Sequence, residues 1–233
     1  MEGKTKKKRK KWPIVLAVLA IILLAGYWYL FLGARVTDVS NEVTKGDPGT
    51  NALIVYFTRS GVITAEGDVD AVTSASMNIH DGVTEQAAKQ LQEITGADMF
   101  QIKTSRYYRN SYGGTAMAAL VRETFKTSPS LAARPESIDG YDVIYVGFPV
   151  WWFNAPMEIG SFLESYDLSG KTVVPFCTSQ DNGIDVCMDY IRKVSGNATV
   201  LDGYRFSNSS DEDLRSWLAR IGTMNARGGK EDE

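Results

Sequence analysis

Short apolar runs alternate with amphipathic stretches along most of the chain. Five of the runs are rich in β-branched and aromatic residues, which is typical of strands buried on both faces of a sheet. They lie at residues 52–57, 99–102, 141–148, 172–176 and 199–204. Because a helical pattern follows each run, we predict an α/β fold with a parallel sheet and right-handed crossovers.

Apolar residues between these runs recur at helical spacing. The stripe after the first run is Val83, Ala87, Leu91 and Ile94. The last predicted helix is preceded by Ser210. Ser210 has an acidic residue three positions on, a pairing that predicts an N-terminal cap. The remaining stripes are Met117, Leu120, Val121 and Phe125; Ile159, Phe162 and Leu163; Ile184, Cys187, Met188 and Ile191; and Leu214, Trp217, Leu218 and Ile221.

The first 50 residues follow a different pattern. Residues 12–34 are uncharged and mostly apolar, and at about 1.5 Å per residue they can cross a hydrocarbon core of roughly 30 Å. Trp12 stands at one end and an aromatic group at 27–31 stands at the other, as in the aromatic belts of membrane proteins. We predict five parts: a basic tail at 1–11, a transmembrane anchor at 12–34, a linker at 35–50, a domain at 51–224 and a flexible tail at 225–233.

Charge suggests an orientation for this anchor. Residues 1–34 carry seven Lys or Arg and one acid, Glu2, and the positive-inside rule keeps such a cluster in the cytoplasm. We therefore predict a single-pass protein of the cell membrane with its C-terminal domain on the extracytoplasmic side. A cleaved signal peptide is the main competing interpretation, and a nuclear-type basic tag is a third. The apolar stretch is long, however, and no clean small-x-small cleavage site follows it.

Composition narrows the possible functions of the remaining chain. The 233 residues are 44% hydrophobic and 23% charged, which fits one globular domain plus an appendage. Residues 35–233 hold 18 basic and 27 acidic side chains, a net charge of −9. Such a body repels phosphate backbones, so we predict no nucleic-acid partner. One His and two Cys exclude a His/Cys zinc cluster, and we predict no metal site.

In a doubly wound sheet, ligands bind beyond the carboxyl ends of the strands. The first predicted strand is followed by a turn whose hydroxyls and backbone amides can surround a phosphate. An ordinary turn between strand and loop is the alternative. The turn is neither GxGxxG nor a Walker sequence, which argues against dinucleotide and nucleoside-triphosphate sites. It consists of Thr58, Arg59, Ser60 and Gly61.

A polar excursion at 62–81 separates this turn from the first helix of the domain. We interpret it as an insertion inside a phosphate-binding loop. Val83 and Thr84 then open the helix, and the helix N-terminus supplies further donors to an anion.

Two more loops follow strands of the predicted sheet. The first has adjacent tryptophans between prolines; either one tryptophan is a core residue, or a flat aromatic ligand stacks on one of them. Its residues are Pro149, Val150, Trp151, Trp152, Phe153 and Asn154. The second is a small polar loop, which is either a plain turn or a rim that hydrogen-bonds a heteroaromatic ring. Its candidate contacts are Thr178, Ser179, Gln180 and Gly183.

Four segments together resemble the flavodoxin family, in its branch with an extended phosphate loop. They read TRSG…GVTE, ADMFQIK, ARPESIDGYDVIYVGFPVWW and FLESYDLSGKTVVPFCT. Their order and spacing are specific, and the resemblance covers residues 51–222. It implies a three-layer sandwich around a five-stranded parallel sheet of order 2-1-3-4-5, with non-covalently bound FMN.

The resemblance also implies where FMN binds. The phosphate would lie on Thr58, Ser60, Gly61 and Thr84, with backbone contacts from Arg59 and Val83. The isoalloxazine ring would lie between the loops at 149–154 and 178–183, close to Trp151 or Trp152. No catalytic acid or base is needed, because the flavin carries the redox chemistry.

The implied function is electron transfer or a flavin-dependent, quinone-type reductase, acting on a redox partner protein or a small quinone-like acceptor. The sequence departs from the family at three positions. Phe153 and Val83 replace a common Gly and Asn, and the loop at 178–183 lacks the usual His and two of the usual Gly residues. The altered loop at 178–183 motivates the alternative of a binding or scaffold module that has lost flavin. A hydrolase is a weaker alternative, since no G-x-S-x-G sequence occurs.

Overall fold

The first strand of the domain, β1 (Ala52–Phe57), is buried along its whole length. It lies inside a parallel sheet, because β2 (Asp98–Ile102) pairs with one side of it and β3 (Val143–Pro149) with the other. β4 (Thr172–Thr178) pairs with β3, and β5 (Thr199–Val200) pairs with β4. The strand order is therefore 2-1-3-4-5, which confirms the prediction. The structure is a computed structural model that describes residues 11–37, 39–61, 82–207 and 209–223.

Helices cover both faces of this sheet. Leu53, Val55 and Phe57 belong to one core, and the alternate side chains of β1 belong to a second core on the opposite face. The first core is completed by α3, α4 and α5, and the second by α2 and α6. The predicted three-layer α/β sandwich is thus confirmed. The helices of the described part are α1 (Trp12–Phe31), α2 (Val83–Thr95), α3 (Tyr112–Phe125), α4 (Met157–Leu163), α5 (Asp185–Val194) and α6 (Asp211–Arg220).

The fifth predicted strand is divided in the structure. β5 is followed by a second short strand, β6 (Tyr204–Phe206), which also pairs in parallel with β4. The division coincides with Pro175 in β4. Val173 O accepts from Leu201 N at 3.0 Å, so Pro175, two residues on, faces the same neighbour without an N–H to donate. The continuous strand predicted at 199–204 is wrong for this reason.

The predicted cap of the last helix is present. Ser210 Oγ accepts from the backbone N of Asp213 at 3.2 Å, and Asp213 Oδ2 accepts from the backbone N of Ser210 at 3.0 Å. Each side chain satisfies a backbone N–H group at the helix start, which is the reciprocal arrangement of a capping box.

The face that α3 turns to the sheet differs from its apolar stripe. The buried residues of this helix are Thr115, Ala118 and Ala119, whereas Met117 is 49% and Phe125 is 71% exposed. Small side chains allow the helix to lie close to the sheet. Two residues of the stripe, Val121 and Phe125, instead line a groove that α3 forms with the end of α1.

The end of α1 packs on the domain. Leu30 and Phe31 are partly buried against the core, and the chain after them runs antiparallel to residues 105–107. Tyr107 N donates to Ala34 O at 2.9 Å, and Val36 N donates to the carbonyl at position 105 at 3.1 Å. Position 33 is a glycine because of this close approach: a Cβ there would lie 2.4 Å from Tyr107 O. We call residues 33–36 the clamp.

Part of the segment predicted as a linker also packs along the edge of the domain. Thr44 and Met99 exchange two backbone hydrogen bonds, each of 2.8 Å, along the outer edge of β2. The Asp98 carboxylate accepts from Lys45 Nζ at 2.8 Å, from Gly46 N at 2.8 Å and from Tyr141 Oη at 2.5 Å. This edge of the sheet is therefore covered rather than open. The domain boundaries themselves stay a prediction.

We expect Asp98→Asn to lower the free energy of unfolding by about 2 kcal/mol, because hydrogen bonds to a charged acceptor are lost. Burial alone would raise the pKa of Asp98, but its hydrogen bonds from Lys45, Tyr141 and the Gly46 amide outweigh burial and lower it. A lowered pKa contributes stability above the unfolded value of about 3.9, and this is lost as pH falls through the folded value.

Chemical denaturation of the full chain at neutral pH and at acid pH measures both effects. Asp139→Asn, at an exposed position, is the matched control. An Asp98 variant as stable as this control would contradict the prediction.

Candidate functional site

Hydroxyl side chains converge at the carboxyl end of β1. Thr58 directly follows the strand, and Ser60 lies in the short 3-10 turn Arg59–Gly61. Their Oγ atoms are 3.2 Å apart. On the next elements, Thr84 Oγ1 and Thr178 Oγ1 form a 2.7 Å hydrogen bond. We call Thr58, Ser60, Thr84 and Thr178 the hydroxyl cluster.

Gly82 joins the two halves of this cluster. Its backbone approaches the turn so closely that a Cβ at this position would lie 2.2 Å from Thr58 Oγ1 and 2.9 Å from Ser60 Oγ. Only a residue without a side chain allows the start of α2 to lie this close to the two hydroxyls. Gly82 is absent from the predicted site residues, although its place before the helix could have suggested it.

The N-terminus of α2 points to the same place. Gly82 is its N-cap residue and offers no side chain to the helix. The first amides of α2, including those of Val83 and Thr84, therefore have no acceptor within the helix. Together with the helix dipole they favour an anion.

Arg59 is placed differently from the rest of the turn. Its side chain is 1% exposed, and its Nε donates to Thr115 Oγ1 at 3.1 Å while Nη2 donates to Asn110 O. The guanidinium thus ties the turn after β1 to the start of α3. The family resemblance implied only a backbone contact from Arg59, and its two side-chain partners lie more than 50 residues away.

The loop after β3 forms a tight hairpin turn. Trp151 and Asn154 exchange backbone hydrogen bonds of 2.9 and 3.0 Å. The two residues between them have positive φ values, 49° at Trp152 and 59° at Phe153. Positive φ at both central positions is typical of a type I′ turn, which normally uses Asn and Gly. Such a conformation costs about 1 to 3 kcal/mol for each non-glycine residue. We call residues 151–154 the aromatic turn.

The two tryptophans of this turn have different surroundings. The Trp151 ring packs edge-on against Phe57, with centroids 5.4 Å apart, and against Tyr108 at 5.9 Å. Trp152 is 46% exposed, and its Nε1 donates to Ala116 O at 2.8 Å. Trp151 is therefore partly buried against the core, whereas Trp152 lies at the surface with Phe153.

A cavity of about 200 Å³ lies between the aromatic turn and α3. We call it the aromatic cavity. One side is formed by the start of α3 and the other by the aromatic turn, with Arg59 and Asn182 completing the wall. Its lining residues are Arg59, Tyr112, Thr115, Ala116, Ala119, Val150, Trp151, Trp152, Phe153 and Asn182.

The loop after β4 begins beside the loop after β3. Pro149 pairs with Thr178 in the sheet, and Val150 N donates to Thr178 O at 3.0 Å. Ser179 Oγ accepts from Asn182 N at 3.0 Å, which closes the loop into a turn. Asn182 thereby reaches the aromatic cavity, although it was not among the predicted contacts.

A second cavity, of about 500 Å³, lies on the other side of this loop. We call it the polar cavity. Arg205 Nη2 donates to Gln180 O at 3.1 Å at its margin. Gly183, a predicted contact, lines neither cavity. The lining residues are Val83, Gln86, Ala87, Gln90, Thr178, Ser179, Gln180, Arg205, Phe206, Ser207 and Ser209.

A buried ion pair lies next to the aromatic turn and contacts it through Tyr108. Arg122 Nη1 lies 2.8 Å from Glu158 Oε1, and the side chains are 14% and 1% exposed. Tyr108 donates to Glu158 and accepts from Arg122. Burial, followed by the Glu158 charge, raises the pKa of Tyr108 well above its ordinary value, so the phenol stays protonated at neutral pH. Tyr108 in turn contacts Trp151, which links the ion pair to the turn.

The two cysteines take no part in this chemistry. Both are free and buried. Burial raises the pKa of Cys177 and of Cys187 to about 12 in each case, so neither forms a thiolate at neutral pH. Over the described ranges, no group of three or more His, Cys, Asp or Glu side chains could hold a metal ion.

A sequence model of the family described as Flavodoxin matches residues 71–221, well over half of the chain. The chain belongs to the flavodoxin family. A search of curated proteins returned no match.

Solved structures agree with this assignment. A candidate flavoprotein from Bacteroides eggerthii is 26% identical, with a TM-score of 0.61 over 75% of this chain and 99% of that one. A second, from Bacteroides uniformis, is 27% identical, with a TM-score of 0.57 over 73% and 99%. A Lactobacillus acidophilus flavoprotein in complex with FMN shares the fold at 19% identity, with a TM-score of 0.53 over 72% and 99%.

The structure of this flavodoxin-family protein thus brings the predicted residues together in three loops at one edge of the sheet. The hydroxyls predicted after β1 and at the start of α2 lie in one cluster. The loops after β3 and β4 start side by side. Position 61 belongs to the turn of the hydroxyl cluster, and residues 62–81, interpreted as an insertion, lie outside the described residues. The residues of α3 that line the aromatic cavity were missed.

Proposed function

We propose that this protein is a membrane-anchored FMN-binding flavoprotein that transfers electrons to a partner protein or a small quinone-type acceptor. Family membership supports the flavin, and the Lactobacillus acidophilus structure is a complex of the same fold with FMN. The observation that carries the proposal is the hydroxyl cluster at the N-terminus of α2. It matches a singly phosphorylated ligand, and the neighbouring aromatic cavity matches a flat ring.

The residues present fit an FMN phosphate. Thr58, Ser60 and Thr84 offer hydroxyl donors, and the first amides of α2 add backbone donors directed at an anion. Gly82 brings the first amides of α2 next to two of these hydroxyls, because a Cβ at this position would collide with Thr58 Oγ1 and Ser60 Oγ. Gly61 keeps the turn free of a further side chain.

The ring would lie against the aromatic turn and the loop at 178–183. Trp152 and Phe153 are exposed there, so a flat ring can cover apolar surface that otherwise faces water. Asn182 and the backbone of the Ser179–Gln180 peptide offer hydrogen bonds to heteroatoms. FMN supplies the redox chemistry when bound, and the role of this chain is to bind it, orient it and exclude water.

α1 supports the proposed membrane anchor. It has 20 residues and could cross a membrane by length and composition, and a signal sequence near the N-terminus would pass the same test. We propose that it stays attached as a single-pass anchor, with the domain on the extracytoplasmic side. Alkaline extraction of membranes should leave the protein in the pellet, and protease added to intact cells or right-side-out vesicles should digest the domain. A shorter chain in the soluble fraction would instead indicate a cleaved signal peptide.

The absorption spectrum of the protein extracted from its native membranes tests the flavin directly. We expect a yellow protein that is bleached by a chemical reductant and recovers its colour when a water-soluble quinone is added. Added FMN should quench the tryptophan fluorescence of the colourless fraction. A protein that stays colourless and binds no FMN up to millimolar concentration would be the flavin-free scaffold that the altered loop at 178–183 suggests.

We expect Thr58→Ala combined with Ser60→Ala to weaken FMN binding by roughly 10- to 100-fold, since each hydrogen bond to a charged group contributes about 1.5–3 kcal/mol and solvent can replace part of it. Riboflavin, which lacks the phosphate, should bind both proteins equally. Fluorescence titration with the two flavins measures the difference. The double variant at the exposed positions Thr127 and Ser128 is the control. Equal loss of riboflavin and FMN binding would contradict a phosphate role.

A further inference from the structure

Positive charge is concentrated on one part of an otherwise acidic domain. Residues 103–134 contain six Lys or Arg and a single acidic residue, Glu123, whereas residues 35–233 contain 18 basic and 27 acidic side chains. This basic segment includes α3 and the chain that leads into it, which are the parts of the domain in contact with the end of α1.

Three arginines lie directly at that end. Arg109 Nε donates to Tyr29 O at 2.6 Å, and its guanidinium lies 4.2 Å from the centroid of the Tyr29 ring. Arg106 Nη1 donates to Gly33 O at 2.8 Å. Arg35 is exposed and stands directly opposite Arg106 in an antiparallel bridge. We call Arg35, Arg106 and Arg109 the basic collar.

The charges of the basic collar are not neutralised by the described part of the protein. No carboxylate of the described residues lies within 4.0 Å of these three guanidinium groups. Like charges directly opposite one another across a strand pair destabilise it. An external anion would remove this repulsion between Arg35 and Arg106.

An apolar groove lies beside the basic collar. It has a volume of about 480 Å³ and is formed by the end of α1 and the outer face of α3. Tyr27, Phe31, Val121 and Phe125 line it together with the side chain of Arg106, and Phe125 is 71% exposed. Apolar surface next to unneutralised cations is suited to an amphiphilic anion.

The position of the basic collar along α1 indicates which amphiphile it meets. Aromatic residues such as Tyr27 and Tyr29 lie at the level of lipid headgroups when a helix spans a bilayer. Arg109 contacts Tyr29 itself, and Arg106 contacts Gly33 just beyond it. The guanidinium groups are therefore held at the depth of the lipid phosphates, where each basic residue favours an anionic surface.

We propose that the basic collar binds the phosphate headgroup of an anionic phospholipid in the leaflet from which α1 emerges, and that the groove receives the apolar part of the same lipid. The inference rests on the membrane anchor proposed above, and it assigns the domain a fixed lipid contact of its own. It is independent of the flavin, because no residue of the basic collar lines the aromatic or the polar cavity.

Electron paramagnetic resonance of spin-labelled lipids tests the inference on the full chain in nanodiscs. The motionally restricted fraction is compared for labelled phosphatidylglycerol and phosphatidylcholine. We expect phosphatidylglycerol to associate on the order of fivefold more strongly, and the preference to weaken as salt is added, since screening reduces it. Arg106→Gln combined with Arg109→Gln should make the two lipids equivalent.

Two further variants separate charge from structure. Arg106→Lys with Arg109→Lys keeps both charges and should keep most of the preference. Arg215→Gln with Arg220→Gln removes two exposed charges on α6 and should leave the preference intact. Equal association of both lipids with the unaltered chain, or an undiminished preference in the glutamine variant, would overturn the inference.

Two measurements distinguish failure of the lipid-binding inference from failure of the proposed function. A chain that does not float with phosphatidylcholine vesicles in a density gradient would overturn the anchor and the basic collar together. A chain that floats and shows no lipid preference would overturn the basic collar alone. FMN titration of the same samples reports on the flavin site, which we expect to be unaffected by the glutamine variant.

Discussion

Gly82→Ala is expected to weaken FMN binding by 100-fold or more. The new Cβ would lie 2.2 Å from Thr58 Oγ1 and 2.9 Å from Ser60 Oγ. Both distances are shorter than van der Waals contact, so the neighbouring atoms would have to move. The backbone of Gly82 has φ −57° and ψ 139°, a conformation that alanine adopts without strain. The effect therefore comes from a collision that pushes the two hydroxyls and the start of α2 apart. A hydroxyl donor to a charged phosphate contributes about 1.5–3 kcal/mol. Displacing two of them, together with the first amides of α2 that also face the anion, accounts for a loss larger than that of the double alanine variant.

Isothermal titration of the full chain with FMN measures the loss, and riboflavin reports the part that does not involve the phosphate. Gly140→Ala is the matched control, because nothing lies within 4 Å of a Cβ at that position. We expect the control to bind FMN as the unaltered chain does. An alanine variant at position 82 that binds FMN normally would show that the phosphate lies elsewhere, and the hydroxyl cluster would then have no role in binding.

Glu158→Gln is expected to lower the free energy of unfolding by about 3–5 kcal/mol. Arg122 is 14% exposed and Glu158 1% exposed, so neutralising the carboxylate leaves a buried guanidinium without its counter-charge. Tyr108 loses its charged acceptor in the same change. The aromatic turn should also loosen, since Trp151 packs against Tyr108.

Denaturant unfolding followed by tryptophan fluorescence measures the change in stability. Glu164→Gln, on an exposed side chain near the end of α4, is the control and should change stability by less than about 0.5 kcal/mol. Adding Arg122→Met to the Glu158 variant should recover part of the loss, because the uncompensated charge is then removed as well. If the single variant is as stable as the control, the ion pair does not support the turn.

Much of the fold could be predicted because burial leaves a local signature. β1 is apolar at six successive positions, and Ser210 with Asp213 marks a helix start without reference to any distant residue. The division of β5 from β6 has a local cause too, but Pro175 lies in the neighbouring strand. The pairing of β4 with β5 is needed to see that Pro175 lacks the N–H group that would otherwise donate to the neighbouring strand.

The candidate site was less predictable because its decisive contacts join distant segments. Nothing around Arg59 indicates that Thr115 and Asn110 will accept from its guanidinium. The apolar stripe of α3 is clear in the sequence, yet periodicity does not say which apolar surface it will meet. In this protein Phe125 faces the end of α1 and the small residue Ala118 faces the sheet.

The clamp at residues 33–36 has a consequence for the encounter between this protein and a redox partner of the kind proposed above. Backbone hydrogen bonds join α1 to the domain within a few residues of the helix end, so with α1 in a bilayer the domain cannot swing on a long tether. Tyr112 at the start of α3 lines the aromatic cavity, and Phe125 at its other end lies beside α1. Fourteen residues of helix span about 20 Å. An acceptor diffusing laterally within the same membrane would thus meet the cavity at a constant height and in a constant orientation.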